Sequence, residues 1–329
     1  MSKNEQFIQR CLELSEFGLR AAAPNPSVGC LVVCDDKIIG EGITSAYGGN
    51  HAEVNAIKSV QDKSLLAEST VYVSLEPCSH HGKTPPCSDL LIRSGVKKVV
   101  IGCKDPFAEV NGAGIQRLKE AGIDVEVGIL EKECLESHKR FITFHEKKRP
   151  YVILKWAETA DGFVDRLRGA DEEPLKITCN TSSTLVHKWR SEEQAILVGK
   201  NTAILDNPSL TVRKYRGKNP VRVLLDSNTE TPKSANILNN EAETIIIAEN
   251  AKNIDLVLAE LHTRNISSVL VEGGPSIHQS FYDSGNWDEI RRFVSNDSIE
   301  EGIPALCINQ EPKETANVGT DKLYIYRNR

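Results

Sequence analysis

The feature that most constrains this chain is the regular alternation of short apolar runs with helical segments, interrupted once near its middle. Phe7, Cys11, Leu14 and Phe17 recur at helical spacing, so an amphipathic helix is predicted over residues 5–20. Val28–Val33 and Lys37–Gly40 flank Asp35-Asp36 and read as a β-hairpin. Helical patterns follow at Ala52–Val60, Asp89–Ser94 and Ile115–Ala121, with a charged helix from Glu131. Strand-like runs at Thr70–Leu75, Lys98–Gly102 and Ile123–Val127 lie between them. Strands that alternate with helices predict a sheet covered by crossover helices.

The interruption is Glu146-Lys147-Lys148-Arg149-Pro150, polar and closed by proline, after which Tyr151–Lys155 reads as a new strand. The alternation then resumes. Strands are predicted at Ala195–Val198, Val221–Leu225, Thr244–Ala248 and Val269–Val271, with helices at Ser182–Arg190, Asp255–His262 and Ser276–Asp283. At 329 residues the chain can bury two cores. The expected fold class is α/β, with two three-layer α/β/α domains over residues 1–147 and 148–329.

Charge narrows the partners. The net charge is −6, and the only basic cluster is Lys147 to Arg149, so a nucleic acid, which needs phosphates neutralised, is not expected as a partner. The N-terminal MSKNEQFIQR has no apolar stretch behind its first charges, which predicts no signal peptide. No run is long enough to cross a bilayer, so no membrane role and a cytoplasmic location are expected. Nine cysteines in such a chain suggest metal ligation or catalysis rather than disulfides. Cys11, Cys30, Cys34, Cys103, Cys134, Cys179 and Cys307 lie in apolar stretches and read as small core residues.

Three strings in the first half carry chemistry. His51-Ala52-Glu53 opens a helix after Gly48-Gly49-Asn50, Glu76-Pro77-Cys78 ends a strand, and Cys87 opens a helix after Pro85-Pro86. A hydrolytic zinc takes three protein ligands and keeps one open position, where it lowers the pKa of bound water to about 7. One imidazole and two thiolates meet that need, and a helix start favours a thiolate. His51 and Glu53 would face nearly opposite ways on a regular helix, so they converge only if His51 precedes the first turn. Glu53 would then move the proton from the water to the departing amine. Taken singly the residues have plainer readings: Asn50 and Glu53 fit a capping box, and the cysteines fit a core. Together they follow the order of zinc base deaminases, except that eight residues rather than two separate the cysteines.

The string from Glu76 to Cys87, with Ser79-His80-His81-Gly82-Lys83-Thr84 inside it, resembles the bifunctional pyrimidine deaminase/reductase of riboflavin biosynthesis. Pro24-Asn25-Pro26-Ser27-Val28-Gly29 and His51-Ala52-Glu53-Val54-Asn55-Ala56 resemble the same family. The resemblance implies a cytidine-deaminase-like first domain in which His51, Cys78 and Cys87 bind Zn2+ and Glu53 is the catalytic acid/base. It also implies that Asn25 and Lys83 contact the substrate, Lys83 through its phosphate, while His80 and His81 are loop residues. Thr44 stands where the family usually has a histidine, seven residues before the zinc histidine.

In the second half, Gly273-Gly274 at a strand-to-helix turn could bring backbone N–H groups to a phosphate or be a plain tight turn. Asp206-Asn207-Pro208-Ser209-Leu210-Thr211-Val212-Arg213, Leu154-Lys155-Trp156-Ala157, Asp161-Gly162 and Leu224-Leu225-Asp226-Ser227 resemble the reductase half of the same family, which has a dihydrofolate-reductase-like fold and binds NADPH. The resemblance implies that Arg190, Leu210, Arg213 and Glu272 hold a ribosyl phosphate. It assigns Ala157, Thr202, Asp206, Ser227 and the segment from Gly274, Pro275 and Ser276 to Ser280 to the cofactor. Arginine suits phosphate through its planar fork, although Arg190 and Arg213 also read as solvated charges. The departures are Pro174-Leu175-Lys176 in place of a Ser-x-Trp, Asp161-Gly162-Phe163 in place of Asp-Gly-Arg, and a short end after Trp287.

The expected activity is zinc-hydroxide removal of the 2-amino group from a 2,5-diamino-6-(5-phosphoribosylamino)pyrimidin-4-one, followed by NADPH reduction of the ribosyl to the ribityl chain. Three rivals stand beside it: a deaminase with a nucleotide-binding but inactive second domain, a nucleic-acid base deaminase, and a purely structural zinc. The resemblance further implies a homo-oligomer, at least a dimer.

Overall fold

A computed structural model describes residues 1–79, 85–105, 112–169 and 172–328. The chain divides into two compact units, Met1–Lys148 and Arg149–Arg329.

The first unit runs α1 (Lys3–Glu16), α2 (Leu19–Ala22), β1 (Gly29–Cys34), β2 (Lys37–Ile43), α3 (Ala52–Ser59), β3 (Thr70–Leu75) and α4 (Cys87–Ser94). It continues with β4 (Lys98–Cys103), α5 (Ala113–Glu120), β5 (Asp124–Val127), α6 (Glu131–Ser137) and α7 (Lys139–Glu146). α1 starts on a capping box: Ser2 Oγ accepts from Glu5 N at 3.3 Å, and Glu5 Oε2 accepts from Ser2 N at 2.6 Å. It begins earlier than the apolar spacing implied and stops before Phe17. The hairpin turns at Asp35 and Asp36, both at positive φ (48° and 59°), the conformation that matches strand twist in a two-residue loop.

The five-stranded sheet has the order β2-β1-β3-β4-β5. β1 is antiparallel to β2 and β3, whereas β3, β4 and β5 are parallel. β1 is buried at every position, and β3 and β4 at all but their first, so both faces of the sheet are covered. Gly42 on β2 makes room for α3: a Cβ there would stand 2.3 Å from Ala52 O and Ala56 N. That close approach sets α3, and with it His51 and Glu53, against the sheet.

The second unit runs β6 (Tyr151–Glu158), β7 (Phe163–Asp165), α8 (Asn180–Glu192), β8 (Ala195–Gly199), α9 (Lys200–Leu205), β9 (Val221–Leu225) and β10 (Thr244–Ile247). Then follow α10 (Ile254–Thr263), β11 (Ser268–Val271), α11 (Pro275–Asp283), β12 (Glu289–Val294), β13 (Ile303–Pro304), β14 (Glu314–Val318) and β15 (Asp321–Arg327). The main sheet has the order β10-β9-β8-β11-β6-β12-β15-β14. It is parallel from β10 to β12 and antiparallel at β15 and β14. Val152, Ile153, Leu154, Val269, Leu270 and Val271 have no exposed surface, and each is worth roughly 1.5–3 kcal/mol of burial. β12, β14 and β15 were not foreseen from the sequence, nor was α9.

Three sequence readings need correction. Arg149, read as one of the polar residues that separate the two halves, is buried: its guanidinium grips Asp288 at 2.5 and 2.9 Å, and Asp288 also accepts Val152 N at 2.8 Å. Cys307 is exposed although its neighbour Leu306 is buried, because the core covers Leu306 and not Cys307, and Cys179 is half-buried at the N-cap of α8. Asn50 and Glu53 form no capping box. His51 occupies the N-cap without a side-chain bond, and Asn50 Nδ2 donates to Asn55 Oδ1 at 3.1 Å.

Candidate active sites

In the first unit, His51 is extended (φ −72°, ψ 164°) and precedes the first turn of α3. Its ring therefore escapes the helical direction that would turn it from Glu53. Cys78 follows β3, and Cys87 is the first residue of α4. The free N–H groups of that helix start hold the Cys78 peptide: Cys87 N donates to Cys78 Sγ at 3.3 Å, and Ser88 N to Cys78 O at 3.1 Å.

His51 Nδ1 lies 3.5 Å from Cys78 Sγ and 3.4 Å from Cys87 Sγ, and the three donor atoms all fall within 4.8 Å of one another. A tetrahedral ion with Zn–S of about 2.3 Å and Zn–N of about 2.0–2.1 Å requires an N···S edge of roughly 3.5 Å. The donor set and its spacing therefore fit zinc. Among the described residues no other such group occurs.

Glu53 is buried at 4% exposure beside Cys87. Burial, then the neighbouring Cys78, raises its carboxyl from 4.5 to about 7. The Cys87 side chain pulls the Cys78 thiol down, while that contact and burial push Cys87 up. Thr44, at the family's histidine position, is buried, and its Oγ1 accepts from Val28 N at 2.9 Å. Asn25 is half-buried. Lys83, His80 and His81 lie outside the described residues.

In the second unit a cavity of about 550 Å³ opens at the carboxyl ends of β6 and β11, where open α/β sheets take ligands. Ala157, Thr202, Asp206, Gly274, Pro275, Ser276 and Glu272 all line it. Ser227, on the far side of β8 at the end of β9, does not, and neither do Arg190, Leu210 or Arg213. Gly274 is the N-cap of α11 and Pro275 its first residue, so the main chain turns sharply at the end of β11.

Glu272 joins the cavity to Arg190. Arg190 Nε and Nη2 meet its two oxygens at 2.8 and 2.9 Å, and Lys155 Nζ stands 3.5 Å away. Arg213 N donates to His187 Nδ1 at 3.0 Å, and its Nη1 to Thr211 Oγ1 at 3.1 Å. Leu210 is buried with φ +54°, so its side chain faces the core. Asp206 pairs with Arg168, which Asp165 also holds at 2.6 Å.

Sequence reasoning gave no individual role to Lys155 or Arg168, both of which line the cavity, as do His278, inside the segment assigned to the cofactor, and Lys176, in the stretch that departs from the family. For Lys155 a signal existed, a lysine inside an otherwise apolar strand. His278 is buried, its ring centroid lies 5.2 Å from that of Trp156, and burial lowers its pKa to about 4.

Two families match the chain: the cytidine and deoxycytidylate deaminase zinc-binding region over residues 1–103, and the RibD C-terminal domain over residues 150–295. The riboflavin biosynthesis protein RibD of Aquifex aeolicus (strain VF5) is 39% identical, over 98% of this chain and 98% of its own. That of Escherichia coli (strain K12) is 32% identical over 93% and 91%. Among solved structures, the diaminohydroxyphosphoribosylaminopyrimidine deaminase/5-amino-6-(5-phosphoribosylamino)uracil reductase of Thermotoga maritima aligns with a TM-score of 0.90 at 37% identity, covering 99% of each chain. Acinetobacter baumannii RibD, form 1, aligns at 0.88 and 30% identity, again over 99% of each.

Proposed function

The chain belongs to the family of the riboflavin biosynthesis protein RibD, and from that premise we propose which residues carry each of its two reactions. It is a bifunctional enzyme of riboflavin biosynthesis, a zinc-dependent deaminase fused to an NADPH-dependent reductase. Its substrates are those for which the Thermotoga maritima relative is named, taken in the order deamination, then reduction.

In the first unit His51 Nδ1 and the Cys78 and Cys87 sulfurs would hold zinc, which when bound would supply Lewis acidity. Water adds to the ring carbon bearing the 2-amino group, and ammonia leaves. Glu53 takes a proton from that water and gives it to the departing nitrogen. Asn25 and Lys83 contact the nucleotide. The observation that carries this reading is the convergence of one nitrogen and two sulfurs beside a buried carboxyl.

In the second unit NADPH, when bound, would supply the hydride that reduces C1′ of the opened ribose, and this chain's residues position the reactants. Ala157, Thr202, Asp206, Gly274, Pro275 and Ser276 line the cofactor's place. Ser227 would meet it only outside the cavity. Arg190, Leu210, Arg213 and Glu272 hold the ribosyl phosphate, Leu210 through its main chain. Support comes from the cavity that the cofactor set and Glu272 line together, and from the bond that joins Arg190, outside it, to Glu272.

Among the described residues no helix is long and apolar enough to cross a membrane. The family resemblance supports a cytoplasmic homo-oligomer, which light scattering can check. The test of function is to remove zinc with a chelator and measure both half-reactions. Ammonia release should stop while NADPH oxidation on the deaminated substrate, followed at 340 nm, persists. Ammonia release from zinc-free protein would refute the metal assignment, and a flat 340-nm trace would support an inactive second domain.

A further inference from the structure

Glu76 lies two residues before Cys78 and is buried at 3% exposure. Its carboxylate accepts four backbone N–H groups. Oε1 takes Gly114 N at 3.0 Å and Ile115 N at 3.3 Å, while Oε2 takes Gly112 N at 3.1 Å and Asp105 N at 3.3 Å. One side chain thus ties the end of β4 to the first turn of α5. Glu76 N donates in turn to Cys103 O at 3.0 Å.

Two further contacts press α5 onto the same peptide. A Cβ at Gly114 would stand 2.1 Å from Pro77 O, so the helix start touches the residue before Cys78. One turn on, Arg117 Nη1 donates to Ser79 O at 2.7 Å and lies 3.4 Å from Asp89 of α4, the helix that Cys87 opens. The Cys78 peptide is therefore held on both sides by α5.

We propose that Glu76 is a positioning residue of the deaminase, which acts through this brace to fix the Cys78 sulfur relative to Cys87 and His51. The chemistry calls for a carboxylate. All four partners are donors, and only a group whose two oxygens both accept can satisfy them. Glutamine has the same size but would turn an NH2 toward two of those N–H groups, leaving buried donors opposed. The peptide would then shift, and the sulfur with it. This inference rests on the zinc reading of the site.

The test uses full-length holoprotein and Glu76→Gln. Three quantities are compared with wild type: the rate of zinc transfer to a chromophoric chelator, kcat per bound zinc, and the thiolate-to-metal absorption of the cobalt-substituted protein. Groups that orient metal ligands typically govern roughly 10- to 100-fold in affinity, so zinc loss should accelerate by that order and the cobalt band should move. The reductase rate of the same chain, expected unchanged, reports that the protein is folded. A lowered melting temperature with zinc release, kcat per zinc and the cobalt spectrum all as in wild type overturns the proposal, because Glu76 would then serve the fold alone. If Glu76→Gln does not fold, Arg117→Met keeps the carboxylate and alters a half-exposed side chain. Zinc release as slow as in wild type from that variant also overturns it. Wild-type protein that binds no zinc would sink the metal reading itself, an outcome separate from any difference between variants.

Discussion

Replacing Glu272 with glutamine should unfold the second unit far more readily, by an amount the buried charges set. Burial alone raises this carboxyl, yet Arg190 and then Lys155 overcome it and hold the pKa at about 2, from 4.5. That gap corresponds to roughly 3 kcal/mol, and breaking a buried ion pair typically costs about 3–5 kcal/mol. The folded pKa lies below the unfolded one, so this stability is present above pH 4.5 and is lost as pH falls through about 2. Lys155 is itself pushed down, chiefly by burial, which makes bidentate Arg190 the main partner. Trp156, Trp189 and Trp287 all lie in the second unit, so tryptophan fluorescence in urea reports that unit alone. At pH 7, Glu272→Gln should lose roughly 3 kcal/mol, and adding Arg190→Met should recover part of it, since one of the two orphaned cations is then gone. A loss under about 1 kcal/mol with strictly additive single effects would refute the charge accounting.

Glu53→Gln should keep stoichiometric zinc by elemental analysis while ammonia release falls roughly 10²- to 10⁴-fold; release near the wild-type rate would end its role as acid/base. Gly42→Ala should push α3 off β2, because its Cβ would stand 2.3 Å from Ala52 O. Deamination should then drop while NADPH oxidation is unchanged, and equal loss of both activities would contradict this. Burial holds His138 and His278 near pKa 4 rather than 6.5, so each contributes stability above pH 6.5 that is lost as pH falls through about 4. The magnitude is on the order of 3 kcal/mol each, and His278→Gln should flatten the pH dependence of the urea midpoint followed by tryptophan fluorescence. An unaltered slope would exclude His278 as a source.

What could be read in the sequence tracks how locally each feature is encoded. The Asp35-Asp36 turn, the strand at Thr70–Leu75 and the extended lead-in at His51 are set by neighbouring residues, and the structure has each of them. The three donor atoms of the first site sit in short strings at a strand end and two helix starts, so order and residue type already pointed to one ion. The second unit's cavity is assembled from β6, α9, β11 and the 174–178 segment, far apart in the chain. No spacing rule announces such a site. β14 reads Glu314-Thr-Ala-Asn-Val318 and is largely exposed, so an edge strand paired only to β15 left no apolar alternation to find. Cys307 shows the converse: its neighbour Leu306 is buried in the core and Ala305 and Ile308 pack against it, yet the Cys307 side chain itself is exposed, so an apolar run did not decide which of its residues is covered.

The departures from the family pattern can be weighed by where they fall. Pro174, Leu175 and Lys176 line the same cavity as Ala157, Thr202 and Gly274. Proline offers neither the hydroxyl nor the N–H that a serine would, and Lys176 is exposed and brings a charge where an aromatic face is usual. One lost hydrogen bond is worth about 0.5–1.5 kcal/mol, or up to roughly tenfold in affinity. On the proposed assignment, what a dinucleotide phosphate would meet here is main chain, namely the turn at Gly273 and Gly274 and the start of α11 at Pro275. Neither depends on the altered side chains, and the Glu272–Arg190 pair is intact. On the proposed assignment of this cavity to the cofactor, the changed side chains therefore predict weaker ligand binding rather than loss of reduction, which the 340-nm assay on the deaminated substrate checks.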